Sequence, residues 1–229
     1  MKDNFELKII AKIKTDFPTK FGIPRQSGLI KTLKGKIIFE PEYRNNEALR
    51  GLEGFSHLWL LWKFSEAVSE SWSPTVRPPR LGGNKRMGVF ATRSPFRPNP
   101  IGLSSVKLER IYHDGDNGTV IEVSGADLMD GTPIYDIKPY IAYTDSHPEA
   151  LGGFSGDVFE NTLTVNFTDK IAENLPKDIL EPLTEILESD PRPGYKADGD
   201  RIYSFEYAGY NIKFSVDNNI MTVISVKKL

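Results

Sequence analysis

The stretch FELKIIAKIK, residues 5–14, decides the fold class. Phe5, Leu7, Ile9, Ala11 and Ile13 fall on one parity, while Glu6, Lys8, Lys12 and Lys14 fall on the other. A period of two puts alternate side chains on opposite faces of an extended chain, so this pattern predicts a half-buried strand. Working outward, further strands are predicted over 36–40, 56–64, 87–92, 103–112, 119–125 and 134–143. Ser56 to Phe64, SHLWLLWKF, is nearly all apolar, which predicts cover on both of its faces. Asp114-Gly115, Asn117-Gly118 and Asp130-Gly131 punctuate these runs with turn chemistry. No strand–helix alternation occurs over the first 145 residues. A parallel doubly wound sheet is therefore disfavoured, and an antiparallel β-barrel or sheet is expected.

The pattern changes after His147. SHPEALGGFSGD is Gly-rich and polar, a linker between a barrel domain over 1–150 and a small α+β domain over 151–229. A strand over 162–168 precedes a stripe of Ile171, Leu175, Ile179, Leu183 and Leu187, four residues apart, which predicts a helix. Pro176 and Pro182 are then expected in a first turn or at a break. Runs at 201–207, 210–216 and 219–226, with turns at Ala208-Gly209 and Asp217-Asn218, predict a closing meander.

Composition narrows the function classes. The 229 residues are 39% hydrophobic, enough for a core, and contain no cysteine, so disulfides and thiolate metal sites are excluded. His57, His113 and His147 have no ligand-like spacing, and no metal is expected. No apolar run is long enough for a membrane span, and the N-terminus lacks the apolar core of a signal peptide; a cytoplasmic protein is expected.

The net charge is −2, yet Arg77, Arg80, Lys85, Arg86, Arg93 and Arg97 fall within PTVRPPRLGGNKRMGVFATRSPFRPNPIG (74–102) with no acid among them. A cationic segment in an acidic chain is a local anion site. Five guanidiniums favour planar, bidentate recognition of phosphate or carboxylate. The competing reading is a solvated loop, but VFAT between the cations reads as a short strand that would fix their geometry. Three prolines in RSPFRPNPIG (93–102) stiffen the loop before any ligand arrives.

GADLMDGTPIYDIKPY (125–140) places Asp127, Asp130 and Asp136 within ten residues. A carboxylate there suits a cationic ligand or a proton transfer, although aspartates in such turns also serve only to close them. In PRQSGL (24–29), Gln26 and Ser27 suit a polar ligand and Gly28 permits close backbone approach. In DPRPGY (190–195), Arg192 and Tyr195 suit phosphate contact and base stacking. No Walker loop, Rossmann glycine motif or nucleophile elbow is present. The residues alone describe a mostly antiparallel β protein with an arginine-rich anion site and a carboxylate cluster, suited to RNA or a nucleotide.

Through PRQSGL, RGLEGFSHLWLL, the 74–102 segment, DLMDGTPIYDIKPY and DPRPGY, the chain resembles the TsaA-like (TrmO) family. The resemblance implies a β-barrel S-adenosylmethionine-dependent methyltransferase, homodimeric, acting on tRNA at N6 of N6-threonylcarbamoyladenosine in anticodon-loop position 37. It implies cofactor contacts at Gln26, Ser27 and Gly28, at Ser65 and Glu66 (where the family pattern carries His-Gln), at Arg93 and Leu103, and at Asp130, Gly131, Thr132 and Pro133. Asp127 and Asp130 remain alternative proton acceptors. Arg77, Arg80, Lys85, Arg86, Arg97, Arg192 and Tyr195 are the expected tRNA contacts. A nucleotide- or RNA-binding regulator on the same barrel, without turnover, is the second reading.

Overall fold

The computed structural model describes residues 6–66, 71–78, 85–158, 162–168, 170–192 and 201–229. Arg80 and Tyr195 lie outside them. The strands run in chain order as β1 (Ala11–Lys14), β2 (Lys34–Phe39), β3 (His57–Lys63), β4 (Thr75–Val76), β5 (Met87–Gly88), β6 (Ile101–His113), β7 (Thr119–Ser124) and β8 (Pro133–Pro139). A four-residue helix α1 (Ala142–Asp145) follows, then β9 (Thr164–Phe167), α2 (Lys177–Glu188), β10 (Tyr203–Tyr207), β11 (Tyr210–Asp217) and β12 (Ile220–Lys228).

Six strands close a barrel in the order β1-β2-β7-β6-β3-β8, and every pairing in it is antiparallel. Closure removes the exposed edges that an open sheet would leave. The period-two residues build its interior: Ala11, Ile13, Ile37, Phe39, Leu58, Leu60, Trp62, Val106, Ile121 and Val123 form one buried cluster, joined by Ala126, Leu128 and Ile134. Gly102 faces Trp62 across the β3–β6 ladder, and the indole occupies the space a side chain at 102 would need.

Several sequence expectations change here. The first strand is shorter than its pattern. Ile10 still bonds both neighbours, its amide to the Ile134 carbonyl and its carbonyl to the Glu40 amide, but residues 6–9 are not in a strand, and Leu7 and Ile9 are exposed; β2 stops at Phe39 and the chain turns into a 3-10 helix at Pro41–Tyr43. In β3 only Leu58, Leu60 and Trp62 are buried. Trp59 and Leu61, on the other parity, are half-covered, Trp59 by Tyr140 with ring centroids 5.5 Å apart. Of residues 87–92 only the first two are strand. β5 ends at Gly88, and Val89–Ala91 forms a 3-10 turn closed by the Thr92 amide and hydroxyl, both donating to the Val89 carbonyl. The strand at 134–143 ends at Pro139, and α1 takes up its last residues.

The chain forms two compact units. One comprises Met1–Thr15, Gln26–Trp72 and Pro95–Tyr140; the other comprises Asp16–Arg25, Ser73–Ser94 and Ile141–Leu229. The second holds a four-stranded sheet, β10-β11-β12-β9, in which β10, β11 and β12 are the expected meander and β9 lies parallel to β12. The expected helix begins six residues later than its stripe. Pro176 is extended (ψ 141°) and holds Leu175 extended as well (ψ 140°), so Ile171 and Leu175 fall outside α2. Pro182 sits inside α2 rather than at a break, buried alongside Leu183, Ile186 and Leu187. The segment 16–25 packs into this unit through Phe17 on Tyr207 and Phe21 on Phe205, ring centroids 5.1 Å and 5.9 Å apart.

Candidate functional site

Two hydrogen bonds in the barrel unit draw three distant segments together. The Gly28 amide donates to the Gly125 carbonyl at 2.8 Å. The Ser105 amide, in the middle of β6, donates to Ser27 Oγ at 3.1 Å. Gly28 and Gly125 are both left-handed, with φ of +77° and +76°. That conformation costs an L-residue but not glycine. A Cβ on Gly125 would come within 3.2 Å of Gly28 Cα, so the two backbones meet as closely as they do because neither carries a side chain.

Ser104 is the neighbour of Ser105 on the opposite parity, and it points into the barrel, 1% exposed. Trp62 Nε1 donates to Ser104 Oγ at 2.9 Å, and Ser104 Oγ lies 2.6 Å from Asp127 Oδ1. Indole N–H is only a donor, so it occupies an acceptor position of the hydroxyl. The hydroxyl proton therefore goes to Asp127. The half-buried Asp127 carboxylate is oriented by a chain that starts in the core.

Asp130 is tied differently. It is exposed, and its Oδ1 accepts the Thr15 amide at 2.9 Å at the end of β1. Gly131 (φ +75°) donates its amide to the Ile13 carbonyl, and the Thr132 carbonyl accepts the Ile13 amide. The buried Thr132 hydroxyl donates to the Met129 carbonyl at 2.7 Å. The Asp130-Gly131-Thr132-Pro133 turn is thus pinned to β1, leaving the Cα faces of Gly28 and Gly131 with no atom within 4 Å of where a Cβ would stand.

Of the residues singled out in the sequence, Ser27, Gly28 and Asp127 are joined through Gly125 and β6. Leu103, on the same strand, is 51% exposed and offers an apolar face. Gln26 precedes Ser27. Ser65 and Glu66 are exposed just beyond β3, where the Phe64 amide bonds the Pro100 carbonyl. Arg97 is half-buried in the barrel unit; Arg77, Lys85, Arg86 and Arg93 are exposed in the second unit. Arg86 Nη1 donates to Thr75 Oγ1 across β4 and β5. Arg192 makes a bidentate pair with Asp190, both contacts at 2.8 Å, and that carboxylate raises its pKa further above the ordinary guanidinium value. Arg25 Nη2 donates to the Asp190 and Arg192 carbonyls at 3.0 and 2.8 Å, so the start of DPRPGY is held from the residue before Gln26.

Sequence reasoning missed Trp62, Ser104, Ser105 and Gly125. A signal existed for Ser104: it is a hydroxyl on the inward parity of β6, between Gly102 and Val106. Among the described residues no cluster of three histidines, aspartates or glutamates could hold a metal ion. No helix among them is long and apolar enough to cross a membrane.

Residues 12–146 match the tRNA-methyltransferase O N-terminal domain, and residues 160–229 match the TrmO C-terminal domain. The chain belongs to the TrmO family. An Escherichia coli relative named tRNA (adenine(37)-N6)-methyltransferase is 39% identical over 222 residues, covering 93% of this chain and 94% of its own. A Pseudomonas aeruginosa relative named as a putative S-adenosylmethionine-dependent methyltransferase is 40% identical over 194 residues, 82% of this chain and 81% of its own. A crystal structure of TrmO from P. aeruginosa superposes with a TM-score of 0.79 at 30% identity, covering 100% of this chain and 99% of that one. Among the described residues this TrmO chain holds a six-stranded barrel and no Rossmann sheet, in keeping with the absence of a Rossmann glycine motif from the sequence.

Proposed function

We propose that this chain is an S-adenosylmethionine-dependent tRNA methyltransferase that modifies N6 of adenosine 37 in the anticodon loop, and that the nucleoside it takes is N6-threonylcarbamoyladenosine. We further propose that it works as a homodimer in the cytoplasm. The observation that carries the reading is the meeting of Ser27, Gly28, Ser105 and Gly125 beside an oriented Asp127, in a chain of the TrmO family.

The residues present fit the cofactor. S-adenosylmethionine has an apolar base face, polar ribose hydroxyls and an end with both charge signs. Leu103 supplies exposed apolar surface, Ser27 and Gln26 supply polar groups, and the open glycine faces at Gly28 and Gly131 let a ligand approach the backbone. Gln26, Ser27, Gly28, Leu103 and the Asp130-Gly131-Thr132-Pro133 turn would hold it, with Ser65, Glu66 and Arg93 as further contacts. When bound, it supplies an electrophilic methyl group on a sulfonium. The protein's own part is to bind, align and desolvate the acceptor, which is where most of the rate gain of such a transfer arises. An anticodon-loop base is already unpaired, so presenting it costs little. The threonyl carboxylate of the substrate is an anion that an arginine of 77–97 would clamp bidentately.

Methylation of tRNA with and without the threonylcarbamoyl group tests the reading. Transfer to the modified tRNA alone is expected, because an arginine left without its carboxylate disfavours the unmodified base. Equal transfer to both rejects the substrate. Cofactor and RNA binding with no transfer would instead mark a nucleotide- or RNA-binding regulator.

A further inference from the structure

We infer that Asp127 is the group that accepts the N6 proton, and that Ser104 and Trp62 are the positioning residues that aim it. This rests on the proposed function and decides between the two aspartates it leaves open. Asp130 Oδ1 is engaged by the Thr15 amide, in an exposed turn whose backbone is fastened to β1. Its carboxylate ties that turn to the end of β1. Asp127 sits two residues after the Gly125 that meets Gly28, and its carboxylate accepts a hydrogen bond from a hydroxyl buried in the barrel. Ser104 lies between Leu103 and Ser105, the first a predicted cofactor contact and the second bonded to Ser27. Asp127 thus bonds the one residue of β6 that stands between those two.

The chain Trp62 Nε1–H to Ser104 Oγ–H to Asp127 Oδ1 has one direction only, since its first member cannot accept. Each donor fixes the next acceptor. Ser104 is 1% exposed and Trp62 9% exposed, so water cannot readily replace either link. Held this way, Asp127 presents a fixed carboxylate edge to the acceptor. As N6 gains its new bond to the methyl carbon, that carbon's bond to sulfur breaks and its electron pair stays on the sulfur, which leaves as a neutral thioether; the N–H bond of N6 breaks as well, and the proton passes to an Asp127 carboxylate oxygen. The nitrogen keeps the electron pair of that bond and ends neutral. The carboxylic acid returns the proton to water when product leaves. A urea-type N–H is more acidic than a simple exocyclic amine, so a carboxylate suffices where a plain adenine would demand a stronger base.

The test compares Asp127→Asn, Ser104→Ala, Ser104→Thr and Trp62→Phe with the parent protein. It reads kcat and KM on threonylcarbamoylated tRNA, S-adenosylhomocysteine affinity by calorimetry, and Tm. Asp127→Asn is expected to lower kcat by about a hundredfold or more, the usual contribution of a general base, with S-adenosylhomocysteine affinity within about threefold. Ser104→Ala lowers kcat by about tenfold, Trp62→Phe by less, and Ser104→Thr, which keeps the hydroxyl, recovers most of the loss. The inference is overturned if Asp127→Asn keeps kcat, if it loses ligand affinity in step with kcat, or if Asp130→Asn alone abolishes turnover. If Ser104→Ala lowers only Tm, or if Ser104→Thr is as slow as Ser104→Ala at the parent's Tm, the positioning role is overturned. A parent protein that leaves threonylcarbamoylated tRNA unmethylated refutes the proposed function instead, a result distinct from any of these.

Discussion

Gly125 and Gly28 meet backbone to backbone, carbonyl to amide at 2.8 Å, each in the left-handed region. The contact ties the start of the DLMDGTP segment to the PRQSGL loop, 97 positions earlier in the chain. Gly125→Ala adds a Cβ 3.2 Å from Gly28 Cα on a φ of +76°. Gly51→Ala, away from the proposed cofactor contacts, meets a similar backbone penalty at φ +85° but no neighbour. Each is expected to cost about 1–2 kcal/mol of stability from the conformation alone. Gly125→Ala should in addition weaken S-adenosylhomocysteine binding by about tenfold or more, since 1.4 kcal/mol of loop displacement suffices for that. Calorimetry on both variants checks it. Equal weakening by the two would mean that the contact with Gly28 does not shape the ligand loop.

Gly102 and Trp62 give a harder clash. A Cβ on Gly102 would overlap the Trp62 indole at Cε2. The indole is packed on Phe64 with centroids 4.3 Å apart and anchored by its bond to Ser104, so it cannot swing away freely. Gly102→Ala should lower stability by about 1–3 kcal/mol or more, as overpacked cores do. Combined with Trp62→Phe, part of the loss should return, giving a coupling energy of about 0.5–3 kcal/mol in denaturant titrations. Strict additivity would show that the barrel relaxes around the added methyl.

How far the sequence reveals this arrangement depends on the range of the interaction. The barrel was legible because Ala11, Ile13, Ile37, Leu58, Leu60, Val106 and Val123 obey a local period of two, and because among the described residues only short 3-10 turns, and no α-helix, separate its strands. The position of the Asp130-Gly131 turn was legible for the same local reason. The chain from Trp62 to Ser104 to Asp127 was not. It depends on β3–β6 register, in which Trp62 faces Gly102 and leaves Ser104 room, and no window around any of the three residues encodes that. The strand expected over 87–92 stops at Gly88 because Thr92 closes the backbone differently: its amide and its hydroxyl both bond the Val89 carbonyl, enough to turn a β-favouring run. Likewise the apolar stripe through 171–187 carried the helical period but not the constraint of Pro176 on Leu175.

Tyr207 gives the second unit an alkaline limit. Its phenol is 2% exposed, and burial, followed by the charges of Asp16, Asp178 and Glu185, raises its pKa well above the ordinary value of 10.0. The buried phenol stays protonated at a pH where the unfolded chain has lost that proton. The unfolded state then binds fewer protons, so stability falls as pH rises. The contribution is complete below pH 10 and declines above it by about 1.4 kcal/mol per pH unit. Tyr207→Phe should flatten this decline between pH 10 and pH 11.5 in denaturant titrations, with little change near neutrality. An unchanged alkaline slope would place the titrating group elsewhere.

The cations of 77–97 make the last prediction, and the structure sharpens it by showing which are committed inside the protein. Arg192 spends its guanidinium on Asp190 and Arg86 donates to Thr75, whereas Arg77 and Lys85 stand exposed in the second unit. If these hold tRNA phosphates, log K falls with log salt by about 0.7 for each single-strand phosphate neutralised. Arg77→Glu combined with Lys85→Glu should reduce the magnitude of that slope by about 1.4 if each cation serves one phosphate, and should weaken binding uniformly across tRNA species. S-adenosylhomocysteine affinity should not move, because the substitutions touch none of the residues that close the Gly28–Gly125 contact. Arg192→Ala should act differently: it breaks a bidentate pair of which Arg192 is only 15% exposed, so it should lower Tm before it changes the salt slope. Filter binding from 50 to 300 mM salt, run beside thermal melts, separates the two behaviours. A slope indifferent to Arg77→Glu and Lys85→Glu would assign those cations to solubility alone.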